Sequence, residues 1–414
     1  MNSLMKRIAA IVIPLCLLSV FPASGQVKTG ADLLFRQYFH LIDGKRVGLV
    51  TNHTALLSDG THLADAIFKN SRTKLVALFG PEHGIRGDAP DGKSIQAGRD
   101  AKTGVPVYSL YGATNKPTAE MLKDVDVLVF DIQDVGVRFY TYVSTMSYAM
   151  EAAAEHKIPF VVLDRPDPIR GVWVEGFVRE DSLRSFVGLQ PIPIAYGMTI
   201  GELAEMFNGE GWLKDGVKAS LTVVKMEGWK RTMWYDQTGL RWVKPSPSMA
   251  TLRTAIVYPG TCFIEGTNLS EGRGTDHPFE YIGAPFIDGR RWADALNSSG
   301  LKGVQFEPVD FTPQSLKNIT IHPKYEGTKC SGIYVDVTDR DIYEPVKAGI
   351  YILSTAKKLF PDSLKWRGRY LDLLSGTGRL RPAIDAGVSP DRIVGMWKGE
   401  IEKFEQIRKR YLLY

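Results

Sequence analysis

Hydrophobic positions in this chain fall into short apolar runs separated by longer segments in which apolar residues recur every three or four positions. Arg46 to Thr51 (RVGLVT), Leu75 to Phe79 (LVALF), Val127 to Phe130 (VLVF) and Phe160 to Leu163 (FVVL) have the length and composition of strands covered on both faces. Val105 to Tyr111 and Leu221 to Met226 read as further strands. Between them Thr61 to Asn70, Thr118 to Lys123 and Thr141 to His156 fit helices, the first with Leu63, Ala66 and Ile67 on one side. Strands alternating with helices predict an α/β fold, a Rossmann-like N-terminal domain on a mostly parallel sheet. Pro245 and Pro247 mark a boundary near Met249. Beyond it Arg291 to Asn297, Tyr343 to Leu359 and Glu400 to Arg410 read as helices, and Val304 to Phe311 and Gly332 to Thr338 as strands. Residues 26–249 and 250–414 are thus expected to form a larger α/β unit and a smaller α+β unit.

The strand ends carry the polar groups. Gly80 and Pro81 stop LVALF, and Glu82, His83 and Arg86 follow among the turn-forming Gly84 and Gly87. In open α/β sheets ligands sit beyond the carboxyl ends of the strands, so these three are candidates. RVGLVT runs into Asn52, His53 and Thr54. VLVF gives way to Asp131, Gln133, Asp134, Arg138, Tyr140 and Tyr142, a mixture of placed polar groups and aromatic walls that suits a binding site. Asp164 and Arg165 read as a local pair in a proline-rich turn, and Thr199 with Glu202 has capping-box spacing before a helix from Ile200 to Phe207. Trp229, Trp234 and Trp242 suit either core packing or stacking on sugar rings. After Tyr258-Pro259-Gly260, the stretch from Cys262 to Phe286 crowds Glu265, Asn268, Glu271, Arg273, Asp276 and His277 around glycines, as functional loops do.

Composition narrows the class. The 414 residues, 44% hydrophobic and 23% charged, are those of an ordinary globular protein. A net charge of +5 without a basic run argues against nucleic acid. Lys6 and Arg7, the apolar run Ile8 to Phe21 and the small residues Ala23-Ser24-Gly25 have the form of a cleavable signal peptide over residues 1–25. A periplasmic or secreted protein is expected, with no membrane segment after cleavage. Pro14 and Leu15 ahead of Cys16 argue against a lipoprotein anchor. Cys262 and Cys330 then remain, as one disulfide or two buried thiols. Nothing in the sequence fixes an oligomeric state.

No GxGxxG or P-loop accompanies the Rossmann-like pattern, so no nucleotide cofactor is expected, and GxSxG and HExxH are absent. His53, His83 and His277 with Asp131 read as hydrogen-bonded groups rather than metal ligands. What remains is carboxylates at strand ends among arginines and aromatics. Glycoside hydrolysis uses such groups: one protonated carboxyl as acid and usually a second as base or nucleophile. Glu82, beside Pro81 and backed by a buried strand, is the expected acid, with desolvation favouring its neutral form.

The segments GLVTNHTAL, LFGPEHGIRG, DVLVFDIQDVGVRFYTY, VLDRPDP and FIEGTNLSEGRGTDHPFE resemble, over essentially the whole mature chain, the bacterial exo-acting β-N-acetylmuramidases, long carried as a domain of unknown function. The resemblance implies release of terminal β-1,4-linked N-acetylmuramic acid from the non-reducing end of peptidoglycan fragments, in a cleft between a Rossmann-like domain and a smaller C-terminal domain. It implies that Glu82 is the catalytic glutamate. Muramic acid bears a lactyl carboxylate that calls for a guanidinium fork, with Arg86, Arg138 and Arg273 as candidates. Asn52, Gln133 and Asn268 are candidates for the acetamido group or ring hydroxyls, and Tyr140 and Tyr142 for the sugar faces. His53, His83, Asp134 and Glu265 are further expected substrate contacts. The second carboxylate stays open among Asp131, Asp134, Glu265 and Glu271, of which Asp131 and Glu271 join Glu82 as expected catalytic residues. Retaining, inverting and substrate-assisted routes all stay open. A non-catalytic periplasmic glycan-binding protein is the alternative from another class, and an endo-acting lysozyme-like enzyme is a third reading.

Overall fold

The computed structural model describes residues 26–87 and 98–414. The expected signal peptide and its cleavage site lie outside them. Seven strands form the main sheet: β1 (Arg46–Thr51), β2 (Lys74–Gly80), β3 (Gly98–Arg99), β4 (Pro106–Ser109), β5 (Val127–Asp131), β6 (Phe160–Leu163) and β7 (Leu221–Val224). Their order is β3-β4-β2-β1-β5-β6-β7, with every pairing parallel except β3 with β4. Alternate residues of the central strands feed opposite faces. Val50 and Phe130 join one core, and Leu49 and Val129 the other, which is why these strands are apolar throughout.

Helices α1 (Gly30–Arg36), α2 (Leu63–Lys69), α3 (Ala119–Leu122), α4 (Tyr142–Glu155) and α5 (Ile200–Gly209) accompany this sheet. The Thr199–Glu202 capping box opens α5, as the spacing predicts. A second, antiparallel sheet of β8 (Tyr281–Ala284), β9 (Val304–Phe311) and β10 (Cys330–Val337) runs in the order β8-β10-β9. Around it lie α6 (Leu252–Thr261), α7 (Gly289–Asn297), α8 (Pro345–Leu359) and α9 (Tyr370–Ser375). The fold is therefore α/β: a mostly parallel sheet with helices and a smaller antiparallel sheet.

Two local expectations change. Pro259 and Gly260 lie inside α6 rather than opening a loop. Pro259 stands in the last turn of α6, so the helix forgoes one N–H bond, to Ala255 O, close to where it ends. Gly260 is needed because α6 crosses α8 closely: a Cβ there would lie 1.9 Å from Pro345 O. The tryptophans serve packing. Trp229 meets Tyr414 edge-on at 5.1 Å, Trp242 meets Tyr235 at 5.1 Å, and Trp234 donates from Nε1 to Asp341 at 2.9 Å. Cys262 and Cys330 are separate buried thiols. One continuous core joins Phe130 and Phe139 to Tyr258 and Ile333, so the two sheets are packed as one body. No helix among the described residues is long and apolar enough to cross a membrane.

Candidate active site

The loop after β2 turns at once. His83 has φ 70° and Gly84 φ 76°, and a non-glycine residue in this left-handed region is uncommon and costly, which marks a site held against strain. Glu82, half-buried beside it, faces a cleft of about 400 Å³. One wall comes from the main-sheet loops, with Glu82, His83, Phe139, Tyr140 and Tyr142. The facing wall comes from the second half of the chain, with Tyr258, Glu265, Glu271, Arg273, Lys324 and Tyr370. The cleft thus carries three carboxylates.

Each carboxylate has its own partners. Thr141 Oγ1 donates to Glu82 Oε2 at 3.2 Å. Arg273 Nη2 donates to Glu265 Oε1 at 2.8 Å while its Nη1 donates to Ser248 at 2.9 Å, and Tyr370 OH donates to Glu265 Oε2 at 3.3 Å. Lys324 Nζ lies 3.0 Å from Glu271 Oε2, and Arg273 Nε lies 3.5 Å from Glu271 Oε1. Tyr140 meets Tyr142 edge-on at 4.9 Å, and Tyr142 donates to Pro245 O at 2.5 Å. Burial, and then the Glu265 charge, hold the Tyr370 phenol well above its ordinary range. Burial pushes the Cys262 thiol up as well, so that cleft residue is a poor nucleophile.

Seven of the sequence candidates meet in the cleft: Glu82, His83, Tyr140, Tyr142, Glu265, Glu271 and Arg273. The others are spent on structure. At the point where strand order reverses, between β1 and β5, Arg165 binds Asp131 bidentately, with Nη2 2.9 Å from Oδ2, and both side chains are buried. Asn52 Oδ1 accepts from the Thr54 backbone at 3.0 Å and from its hydroxyl at 2.6 Å. Gln133 Nε2 donates to Asp134 O and Pro166 O, and Asp134 takes the Tyr196 hydroxyl in a buried site that lifts its carboxyl to about 6. A separate cavity of about 330 Å³ lies beside the switch point, lined by Thr54, Gln133, Arg165 and Tyr235.

Arg86 is shared between Asp100 and Asp65, at 2.9 and 2.7 Å. Arg138 is buried, donating to Phe177 O, Ile192 O and Leu374 O at 2.7, 2.9 and 2.8 Å. Asn268 clamps Ser363 O and Lys365 N, and His53 meets Lys244 O at 2.6 Å. Gly87 lies so close to His53 that a Cβ would sit 2.5 Å from the ring. His277 pairs with Glu280. Among the described residues no three His, Cys, Asp or Glu side chains converge as a metal site.

Sequence reasoning missed Thr141, Tyr258, Lys324, Arg367 and Tyr370. Thr141 was within reach, standing between the two tyrosines already singled out. Lys324 had no signal: it meets Glu271 only because the chain returns to the cleft after β9.

Two family descriptions match the chain: the N-terminal part of the exo-β-N-acetylmuramidase NamZ over residues 47–253 and its C-terminal part over residues 256–414. The peptidoglycan β-N-acetylmuramidase NamZ of Bacillus subtilis (strain 168) is 49% identical over 390 residues, which cover 94% of this chain and 92% of that protein. Two DUF1343 family proteins from Bacteroides fragilis NCTC 9343, known from crystal structures, superpose with TM-scores of 0.85 and 0.77 at 39% and 34% identity. Each comparison covers 94% of this chain and 99% of the other. Identity of this extent, with both family descriptions matched in tandem, means that the chain belongs to the exo-β-N-acetylmuramidase family.

Proposed function

We propose that this protein is a glycoside hydrolase that releases terminal β-1,4-linked N-acetylmuramic acid from the non-reducing end of peptidoglycan fragments. The observation that carries the reading is the cleft carboxylate set, Glu82 on one wall and Glu265 and Glu271 on the other, in a chain 49% identical to a peptidoglycan β-N-acetylmuramidase. Glu82 acts as general acid on the leaving-group oxygen. Glu271, flanked by Lys324 and Arg273, stabilises the positive charge that develops on the sugar ring, and Tyr140 and Tyr142 give the ring an aromatic wall. Glu265 keeps Arg273 in place.

The reading extends to the chain's organisation and destination. The N-terminal unit to about residue 249 supplies Glu82, and the unit from residue 250 supplies Glu265, Glu271 and Arg273. Export with cleavage after Gly25 brings the protein to peptidoglycan, which lies outside the cytoplasm. N-terminal sequencing of the exported protein should begin at Gln26.

The deciding assay offers a chromogenic β-N-acetylmuramide beside the matching β-N-acetylglucosaminide to wild type and Glu82→Gln. Release from the muramide, reduced at least about 100-fold in the variant, is expected of a general acid. No release by folded wild type overturns the hydrolase reading in favour of a glycan-binding protein.

A further inference from the structure

N-acetylmuramic acid differs from N-acetylglucosamine by a lactyl ether ending in a carboxylate, so a site selective for it needs a cation with unspent donors. The three arginines singled out from sequence are spent. Arg86 and Arg138 lie away from the cleft, and Arg273 directs Nη1 to Ser248, Nη2 to Glu265 and Nε toward Glu271. Lys324 Nζ has three neighbours for its three protons: Ile264 O at 3.1 Å, Leu269 O at 2.8 Å and Glu271 Oε2 at 3.0 Å. His322, also on the cleft wall, pairs with Glu326 at 2.8 Å.

Arg367 is different. It lines the same cleft, is exposed, and has no carboxylate partner among the described residues. Its backbone is pinned: Arg367 N donates to Gly266 O at 2.8 Å, and the neighbouring Trp366 bridges to Thr267. Its side chain is oriented by an Nη1 bond to Glu265 O at 3.2 Å and by the Tyr370 ring, whose centroid lies 5.4 Å from Cζ. One Nη is thus tethered to a neutral carbonyl, and Nε and Nη2 are left as a fork of the shape a carboxylate accepts.

We propose that Arg367 is the specificity-determining residue of this cleft, binding the lactyl carboxylate of the terminal muramic acid. This rests on the muramidase reading above and deepens it. Arg367 is a binding group and takes no part in bond cleavage. It favours a free carboxylate over the amide formed when a peptide stem is attached there, because an amide offers one neutral acceptor where the carboxylate offers two charged ones.

The test is calorimetric binding of N-acetylmuramic acid and of its lactyl carboxamide to wild type, Arg367→Gln and Arg367→Lys. Wild type should prefer the acid by about 10- to 100-fold, the range of a charge-assisted bond. Arg367→Gln should bind acid and carboxamide within about twofold of each other, and Arg367→Lys should fall between because a point charge lacks the fork. An Arg367→Gln protein that keeps the wild-type ratio, or a wild type with no preference for the acid, overturns the assignment. Binding is read without turnover, so failure here is separate from failure of the hydrolase reading, which the chromogenic assay reports. A merely structural Arg367 would weaken both ligands equally and leave their ratio unchanged.

Discussion

The Thr141 hydroxyl donates to Glu82 Oε2 at 3.2 Å, tying the carboxyl after β2 to the residue that opens α4. The bond helps to hold Glu82 where it lines the cleft. Removing it in Thr141→Val should lower kcat on a β-N-acetylmuramide by about tenfold, since a hydrogen bond to a carboxyl group contributes about 1.5 kcal/mol. Steady-state kinetics beside a thermal melt provide the check. An unchanged kcat in a folded variant would show that Glu82 is oriented by other contacts.

Lys324 holds the opposite wall together, meeting Glu271 and two backbone carbonyls. Glu271 is nearly fully buried, so loss of the ammonium leaves a poorly compensated charge and takes a donor from Leu269 O, while Ile264 O keeps its bonds from Thr267. Lys324→Met should cost about 3 kcal/mol in urea unfolding as well as activity. The double variant Lys324→Met with Glu271→Gln should regain part of that stability, because no stranded charge remains. Additive losses would mean that the two side chains do not act as a pair.

Arg138 joins the two halves of the chain by donating to Phe177 O, Ile192 O and, across to α9, Leu374 O. Burial lowers its guanidinium to about 9, the mark of a cation held by carbonyl dipoles without a carboxylate in contact. Arg138→Met should destabilise by about 2 kcal/mol or more, because Phe177 O and Leu374 O lose their donor at about 1 kcal/mol or more each, while Ile192 O keeps the Arg179 N–H. Arg138→Lys should recover little, since one ammonium cannot span the fork's positions. Denaturant midpoints of the two variants check this.

The fold was legible because the main strands are buried on both faces: RVGLVT and FVVL are β1 and β6 residue for residue. What misled at α6 was Pro259-Gly260, a breaker pair by local rules that the crossing with α8 requires. The site was legible where a carboxylate directly follows a strand buried in the core and faces the cleft, as with Glu82 after β2. It was illegible at Asp131 and Arg86, because strand-end position does not reveal that Arg165 or Asp100 will neutralise them. Polar density marked both the cleft and its scaffolding. Lys324 and Arg367 needed the tertiary fold, since each acts on residues more than fifty positions away in the chain.

Asp164 gives a pH dependence whose sign can be worked out. Its Oδ1 accepts from Gly201 N at 2.8 Å, and its Oδ2 accepts from Thr199 at 2.8 Å and from Tyr414 OH at 2.7 Å. Burial outweighs these bonds and lifts the carboxyl from an ordinary 3.8 to about 7. Between these limits the folded chain holds a proton that the unfolded chain has released, so stability falls as pH rises through the window. The contribution is fully present below pH 4 and lost by pH 7, and spans up to about 4 kcal/mol. Burial lifts Asp134 and Glu175 in the same direction, to about 6 and about 7, so their slopes add. Asp164→Asn removes one of these titrations with little loss of bonding, because Thr199 and Tyr414 carry hydroxyls that can accept from the new amide. Urea unfolding at pH 4 and pH 8 should find the variant close to wild type at the lower pH and the more stable of the two at the higher. Wild-type stability that rises over this interval, with a parallel line for the variant, would mean that Asp164 is ionised in the folded chain.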